Sequence, residues 1–239
     1  MNILPDNTPK KRGIIFDTIF LYGDSFTGKT TLASNFPNAL ILSFDGNFTH
    51  LETPAINITS YEHANQVLKE LEKGEHSFET IIVDPINLMS EMFRENVLDM
   101  LNIEHEADKN DFGKTFAKVQ VPFKDIVMRV AKLNVKYKIF LAHEKIVEER
   151  KHNIVTTKIK SALSDNLNKY VASLSSLAVR MVVAEKNKET VRSLILKANS
   201  GTFGGSRLPL KNEVISSANP HTLFQLLMQE IAPDNKNIS

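Results

Sequence analysis

The sequence predicts an α/β fold, a mostly parallel sheet flanked by helices with an antiparallel hairpin added near the C-terminus. Three observations carry this. Short apolar runs alternate with stretches of helical spacing from Ile14 to Ala142. A glycine-rich loop ending in Lys29-Thr30 sits between the first apolar run and the first helical stretch. Two late strands, Ala178–Ala184 and Val191–Lys197, flank a polar turn at Glu185–Thr190 and read as the hairpin.

The elements follow in order. Residues 1–12 read as a flexible basic arm, with Pro5 and Pro9 and a closing run of Lys10, Lys11 and Arg12. Ile14–Tyr22 is strand-like and stops at Gly23, and Thr30–Asn35 is a helix closed by Pro37. Ala39–Phe44 is a second buried strand. Tyr61–Lys73 carries Ala64, Val67, Leu68 and Leu71 at helical spacing and ends at Gly74. Thr80–Val83 is a third strand, followed by Asp84-Pro85. Leu88–Leu101 is a helix, His105–Lys114 a polar loop, and Thr115–Leu133 a long helix with a kink expected at Pro122. Tyr137–Ala142 is a fourth strand. Thr222–Ile231 is the last helix, and 232–239 read as a disordered tail. The domain spans 13–231.

Bulk properties bound the function. At 239 residues, 42% apolar and 24% charged, the chain suits one large globular domain. A net charge of +1 makes no global case for nucleic acid or membrane, so such a partner must meet a local patch. With no cysteine there is no disulfide framework and no zinc-thiolate site, which fits a reducing cytoplasm. Residues 1–12 lack the apolar core of a secretion signal, and no apolar run approaches membrane-spanning length. The expectation is a cytoplasmic protein without a membrane partner.

Gly23-Asp24-Ser25-Phe26-Thr27-Gly28-Lys29-Thr30 fits G-x-x-x-x-G-K-[ST], with strand before and helix after. The glycines let the backbone wrap close, so that successive N–H groups, on to Thr31, point at phosphate oxygens, and the following helix adds its positive pole. Lys29 is expected to reach the β- and γ-phosphates of ATP and the Thr30 hydroxyl to ligate Mg²⁺. Thr80-Ile-Ile-Val-Asp84 ends a buried strand in a carboxylate that can hold the same metal; before Pro85 it also reads as a turn.

Two further residues end strands at that edge. Asp45, after Leu40–Phe44, is a candidate to orient or deprotonate the attacking water; Glu52 competes, and Asp45-Gly46-Asn47 also reads as turn chemistry. His143, after Lys138–Ala142, is a candidate sensor of the γ-phosphate, or a solvated strand-end histidine.

With these strand ends the chain resembles the RecA-like P-loop ATPases, and most closely the phage Sak-type single-strand annealing and recombination ATPases. The resemblance covers roughly Gly13–Leu210. It rests on Gly23-x₄-Gly28-Lys29-Thr30-Thr31-Leu32-Ala33, Thr80-Ile-Ile-Val-Asp84, Phe140-Leu-Ala-His143-Glu144-Lys145 and the late hairpin leading into Gly201–Leu210. It implies a RecA-like fold, ATP and Mg²⁺ as ligands, and catalytic roles for Lys29, Asp45, Asp84 and His143. Two departures stand out: Phe26 where relatives keep small residues, and Asp45 where they usually keep Glu.

The resemblance further implies single-stranded DNA held beyond His143, self-association into a ring or filament, and a phage or host single-strand-binding protein as partner. The segment 145–160 supplies Lys145, Arg150, Lys151, Lys158 and Lys160 against Glu148 and Glu149, either a phosphate-tracking surface or a solvated face. Stacking aromatics are missing there, and Tyr170 is the nearest. The polar stretch with Glu104, Glu106, Asp108 and Asp111 is a poor phosphate binder. Lys197 and Arg207, around the flexible-looking Gly201–Gly205, are candidates to complete a neighbour's ATP site, or ordinary surface cations. The competing functions are a helicase-loader or regulatory P-loop ATPase acting on protein partners, and a small-molecule kinase. The kinase is disfavoured by the absence of an Arg-rich lid.

Overall fold

The computed structural model describes residues 17–108, 111–151, 154–186, 188–198, 201–207 and 209–231. The arm at 1–12 and the tail at 232–239 lie outside the described residues. The strands are β1 (Thr18–Gly23), β2 (Ala39–Ser43), β3 (Ala55–Asn57), β4 (Thr80–Asp84), β5 (Tyr137–Lys151), β6 (Ile154–Ser161), β7 (Leu177–Lys186), β8 (Glu189–Ile195), β9 (Gly205–Ser206) and β10 (Val214–Ser217). The helices are α1 (Lys29–Ala33), α2 (Tyr61–Glu72), α3 (Ile86–Leu101), α4 (Lys114–Lys118), α5 (Val121–Lys132), α6 (Asp165–Leu174) and α7 (Pro220–Ile231).

The sheet order is β10-β8-β7-β1-β5-β4-β2-β3. From β7 to β3 every neighbouring pair is parallel, and β8 and β10 add antiparallel at the β7 edge. The expected fold class is therefore the observed one. Burial on both faces explains the unbroken apolar runs, since β1 and β2 are buried at every position. Alternate residues feed opposite layers. Phe20 and Tyr22 pack under α2, α3, α5 and α6, beside Leu68, Phe93, Phe123 and Val171. Ile19 and Leu21 face α1 and α7, beside Leu32, Leu223 and Leu227.

The register aligns the carboxyl ends of the central strands. Gly23 stands opposite both His143 on β5 and Met181 on β7, and Ser43 on β2 stands opposite Asp84 on β4. β5 lies between the loop strand β1 and the acidic strand β4.

The structure departs from the sequence reading in several places. The expected long helix over Thr115–Leu133 is two helices, because Pro122 has no N–H to continue α4 and instead sits in the first turn of α5. The segment 145–160, for which no element was expected, is a hairpin: β5 runs on to Lys151 and pairs antiparallel with β6. Gly201–Gly205 is tied down, with Ile159 N–H donating to the Gly201 carbonyl, Phe203 N–H to the Ile159 carbonyl, and the Tyr22 hydroxyl to the Phe203 carbonyl. Helix α6 and strands β3, β9 and β10 were not anticipated.

Candidate nucleotide-binding site

The loop from Gly23 to Thr30 leaves β1 and enters α1 at the carboxyl edge of the sheet. Two glycines are required there. A Cβ on Gly23 would lie 2.3 Å from the Met181 carbonyl oxygen, so no side chain fits against β7. Gly28 has φ +93°, where a side chain is strained. Phe26 also has positive φ, at +61°, and its ring is fully exposed. An aromatic residue held in that conformation on a phosphate loop is unusual. Inside the loop Ser25 N–H donates to the Asp24 carboxylate, and the Thr27 hydroxyl donates to the Asp24 carbonyl.

Lys29 is only 6% exposed. Its ammonium donates to the carbonyls of Gly23 at 3.0 Å and Asp24 at 2.7 Å, which keeps the cation inside the loop. Burial lowers its pKa, while Asp84, Asp24 and Glu144 pull the other way. The Thr30 hydroxyl donates to Asp84 Oδ2 at 2.5 Å, linking the start of α1 to the end of β4 across β5. Burial pushes the Asp84 carboxyl up to about 6; the Thr30 hydrogen bond and Lys29 oppose this and Asp45 adds to it. A strand-end carboxylate touching the hydroxyl that follows the phosphate-loop lysine fits a magnesium site completed by phosphate oxygens and water. Among the described residues no cluster of three His or acidic side chains could hold a metal alone. Thr30 and Asp84 are the residues that would hold Mg²⁺, and Lys29 with the loop N–H groups from Gly23 to Thr31 would hold the phosphates.

His143 is joined to Asn87, a residue the sequence reading missed. Asn87, buried in the first turn of α3, accepts from the His143 backbone N–H through Oδ1 at 3.0 Å. That orientation leaves the Asn87 amide NH₂ facing His143 Nδ1 at 3.5 Å. A donor there requires an unprotonated Nδ1, so the ring proton sits on Nε2. Burial and the nearby Lys29 hold the His143 pKa below the ordinary histidine value. A polar residue three positions past a strand-end Asp was the available signal.

The next residue, Glu144, forms a two-pronged ion pair with Arg180 of β7, Nε to Oε2 at 2.8 Å and Nη2 to Oε1 at 2.9 Å. The pair spans from β5 to β7 across β1, beside the phosphate loop, and raises the Arg180 pKa. Asp45 is exposed and bound within its own turn. Its Oδ1 accepts from Ser43 Oγ and Asn47 N–H at 3.0 Å each, and its Oδ2 accepts from the Asn47 amide. The turn chemistry read from Asp45-Gly46-Asn47 is present, and the carboxylate still lies near enough to Asp84 to raise its pKa.

The cations proposed for DNA or a neighbour lie elsewhere. Lys145 and Lys160 are cross-strand partners on the β5–β6 hairpin, and Lys158, two residues on, shares their face. Lys145 donates to the Leu163 carbonyl at 2.7 Å, and Lys160 pairs with Asp165 at 3.4 Å. Arg150 and Lys151 belong to β5, but their side chains lie outside the described residues. Lys197 pairs with Glu213 at the surface, and Arg207 donates to the Ser173 carbonyl. Neither reaches the phosphate loop of its own chain.

A phosphate loop at the carboxyl edge of a parallel sheet, with one strand inserted between the loop strand and the acidic strand, defines a P-loop nucleotide-binding fold. Residues 16–208 match the family model described as AAA domain, well over half of the chain, and the chain belongs to that family. Similar solved structures include the RadB recombinase, 13% identical, with a TM-score of 0.46 over 86% of this chain and 87% of that one. A KaiC-like protein from Pyrococcus horikoshii OT3 is 12% identical, with a TM-score of 0.43 over 85% and 90%. The flagellar accessory protein FlaH from Methanocaldococcus jannaschii is 14% identical, with a TM-score of 0.36 over 77% and 79%. No curated protein matches the sequence. Among the described residues no helix is long and apolar enough to cross a membrane.

Proposed function

We propose that this chain is a magnesium-dependent ATPase of phage recombination that binds single-stranded DNA and promotes annealing or strand pairing. The observation that carries it is a continuous strand. β5 passes between the loop strand and Asp84, presents His143 at the phosphate edge, and continues into a hairpin with three lysines on one face. The state of the nucleotide and the position of a basic surface are thus linked through one element. The Sak-type resemblance supports the recombination role and its phage setting.

Magnesium, held by the Thr30 hydroxyl and the Asp84 carboxylate, would supply positive charge to the phosphates. The chain's own residues do the rest. Lys29 leaves its loop carbonyls to hold the β- and γ-phosphates, and the Thr30 hydroxyl and Asp84 carboxylate keep the metal in place. Asp45 orients the attacking water and takes its proton. His143, its proton fixed on Nε2 by Asn87, donates to the terminal phosphate and carries its loss into the hairpin. Lys145, Arg150, Lys151, Lys158 and Lys160 follow the DNA phosphates. Subunits assemble head to tail into a ring or filament, in which Lys197 or Arg207 leaves its surface partner for the neighbour's site.

The test is the steady-state ATPase rate with and without single-stranded DNA, alongside light scattering. Stimulation together with assembly is the expected result. A flat rate from a monomer favours the alternative of a regulatory ATPase or helicase-loader with a protein partner, a reading to which the exposed Phe26 and Phe112 lend an apolar surface.

A further inference from the structure

Arg192, outside the residues that line the metal side of the site, touches the phosphate loop. It lies on β8, opposite Val183 of β7 and Ser217 of β10, two strands away from β1. Its side chain crosses back over β7, and Nε donates to the Thr27 carbonyl at 3.2 Å. The guanidinium rests against Gly28, where an added Cβ would come within 3.1 Å of Nε. Gly28 is therefore needed twice, for its positive φ and as the seat of this side chain.

Among the described residues, Arg192 and the exposed Arg207 are the arginines whose contacts are with backbone carbonyls rather than carboxylates. Arg94, Arg129 and Arg180 each grip a carboxylate, those of Glu106, Glu72 and Glu144. Among the described residues no carboxylate pairs with Arg192, although it is half-buried. One N–H of a five-donor fork is spent on Thr27, and among the described residues the other donors of Arg192 have no hydrogen-bond partner. A cation held over a phosphate loop without an anion is poised for a phosphate.

Its flank identifies which phosphate. Thr30, Asp84 and His143 mark the metal side of the loop, toward β5 and β4. Arg192 arrives from the opposite side, over β7. A nucleotide whose terminal phosphates lie at the metal side turns its ribose-proximal phosphate toward Arg192. We propose that Arg192 is a nucleotide-binding residue acting in cis, whose guanidinium holds the α-phosphate of bound ADP or ATP. This rests on the nucleotide reading of the loop, and it is separate from any cation that a neighbouring subunit supplies.

The experiment is fluorescence titration with N-methylanthraniloyl-ADP and -ATP against wild type, Lys29→Ala, Arg192→Ala and Arg192→Lys, at two salt concentrations. Wild-type binding that is weakened in Lys29→Ala establishes the loop as the site; absent wild-type binding overturns the nucleotide reading and this inference with it. Given wild-type binding, Arg192→Ala should lose about 10- to 100-fold in affinity for ADP and ATP alike. Its affinity should also depend less steeply on salt. Arg192→Lys should keep an intermediate affinity and the wild-type salt dependence, because the point charge survives. Arg192→Ala binding both nucleotides within about twofold of wild type would overturn the inference. So would a loss confined to ATP, which would put the guanidinium at the γ-phosphate. Equal losses in Ala and Lys with unchanged salt dependence would reduce Arg192 to a brace for the loop.

Discussion

Asp84→Asn is expected to stabilise the nucleotide-free protein while disabling its response to magnesium. The folded protein holds the Asp84 carboxyl at about 6 against an ordinary value of 3.8, chiefly through burial. The folded state therefore keeps this proton to higher pH than the unfolded chain does. Stability from this group is fully present below 3.8, falls as pH rises from 3.8 to about 6, and stays low above that. At about 1.4 kcal/mol per pKa unit, the ionised carboxylate costs on the order of 3 kcal/mol at neutral pH. Asparagine keeps the shape and an oxygen for the Thr30 hydroxyl but carries no charge. The variant should gain up to about 3 kcal/mol above about pH 7, or roughly 5–10 °C in melting temperature. The gain should shrink toward zero near about pH 4. Urea unfolding midpoints in the presence of a chelator, taken across this range, measure it. Adding Mg²⁺ and ATP should reverse the order, because wild type gains binding energy that the variant cannot. A variant less stable than wild type at neutral pH, or a gap independent of pH, would refute the burial argument. A normal magnesium titration would move the metal ligand to Asp45.

Three other outcomes follow from the same geometry. Asn87→Ala should leave ATP affinity within about threefold yet lower the ATPase rate about tenfold or more, since His143 loses its fixed tautomer while the phosphate loop is untouched; equal effects on affinity and rate would deny the positioning role. Binding of single-stranded DNA, read by anisotropy with ATP and Mg²⁺, should weaken steeply as salt rises and weaken further in Lys145→Ala/Lys158→Ala; no binding at low salt would turn the function toward a protein partner. Mixing Lys29→Ala subunits with Lys197→Ala/Arg207→Ala subunits should restore part of the ATPase activity that each lacks alone, because the missing charge arrives from the neighbour. An inactive mixture, with wild-type activity per subunit flat on dilution, would make the site self-contained.

Much of the sheet was legible because parallel strands buried on both faces write themselves as apolar runs. Ile19 to Tyr22, Leu40 to Leu42 and Ile81 to Val83 have no polar face to obscure them. The strand ends were legible for the same reason: Gly23, Asp84 and His143 each break such a run. The β5–β6 hairpin was not, because beyond His143 the strand leaves the covered sheet. Ile146 is exposed and lysines alternate with apolar residues, a pattern that charge counting reads as a solvated segment. The β-branched residues Ile146, Val147, Val155, Thr156 and Thr157 were the overlooked signal. Helix α6 was hidden by its length, although Leu163, Leu167, Tyr170, Val171 and Leu174 keep helical spacing. Asn87 and Arg192 lay beyond reach for another reason. Each acts through a contact across the sheet edge, 56 residues away in one case and 165 in the other, and no local pattern encodes such a meeting.

The most direct test is steady-state ATP hydrolysis by wild type and Lys29→Ala, each with Mg²⁺ and with a chelator. In the proposed function the buried ammonium of Lys29 would meet the charge developing on the transferred phosphoryl, and such groups are worth about 10²- to 10³-fold in rate. Wild type should hydrolyse ATP only with the metal, and Lys29→Ala, folded by circular dichroism, should fall by at least about 100-fold. Equal rates in the two proteins, or hydrolysis by wild type that ignores the chelator, would contradict the assignment of this loop as a magnesium-dependent ATPase site.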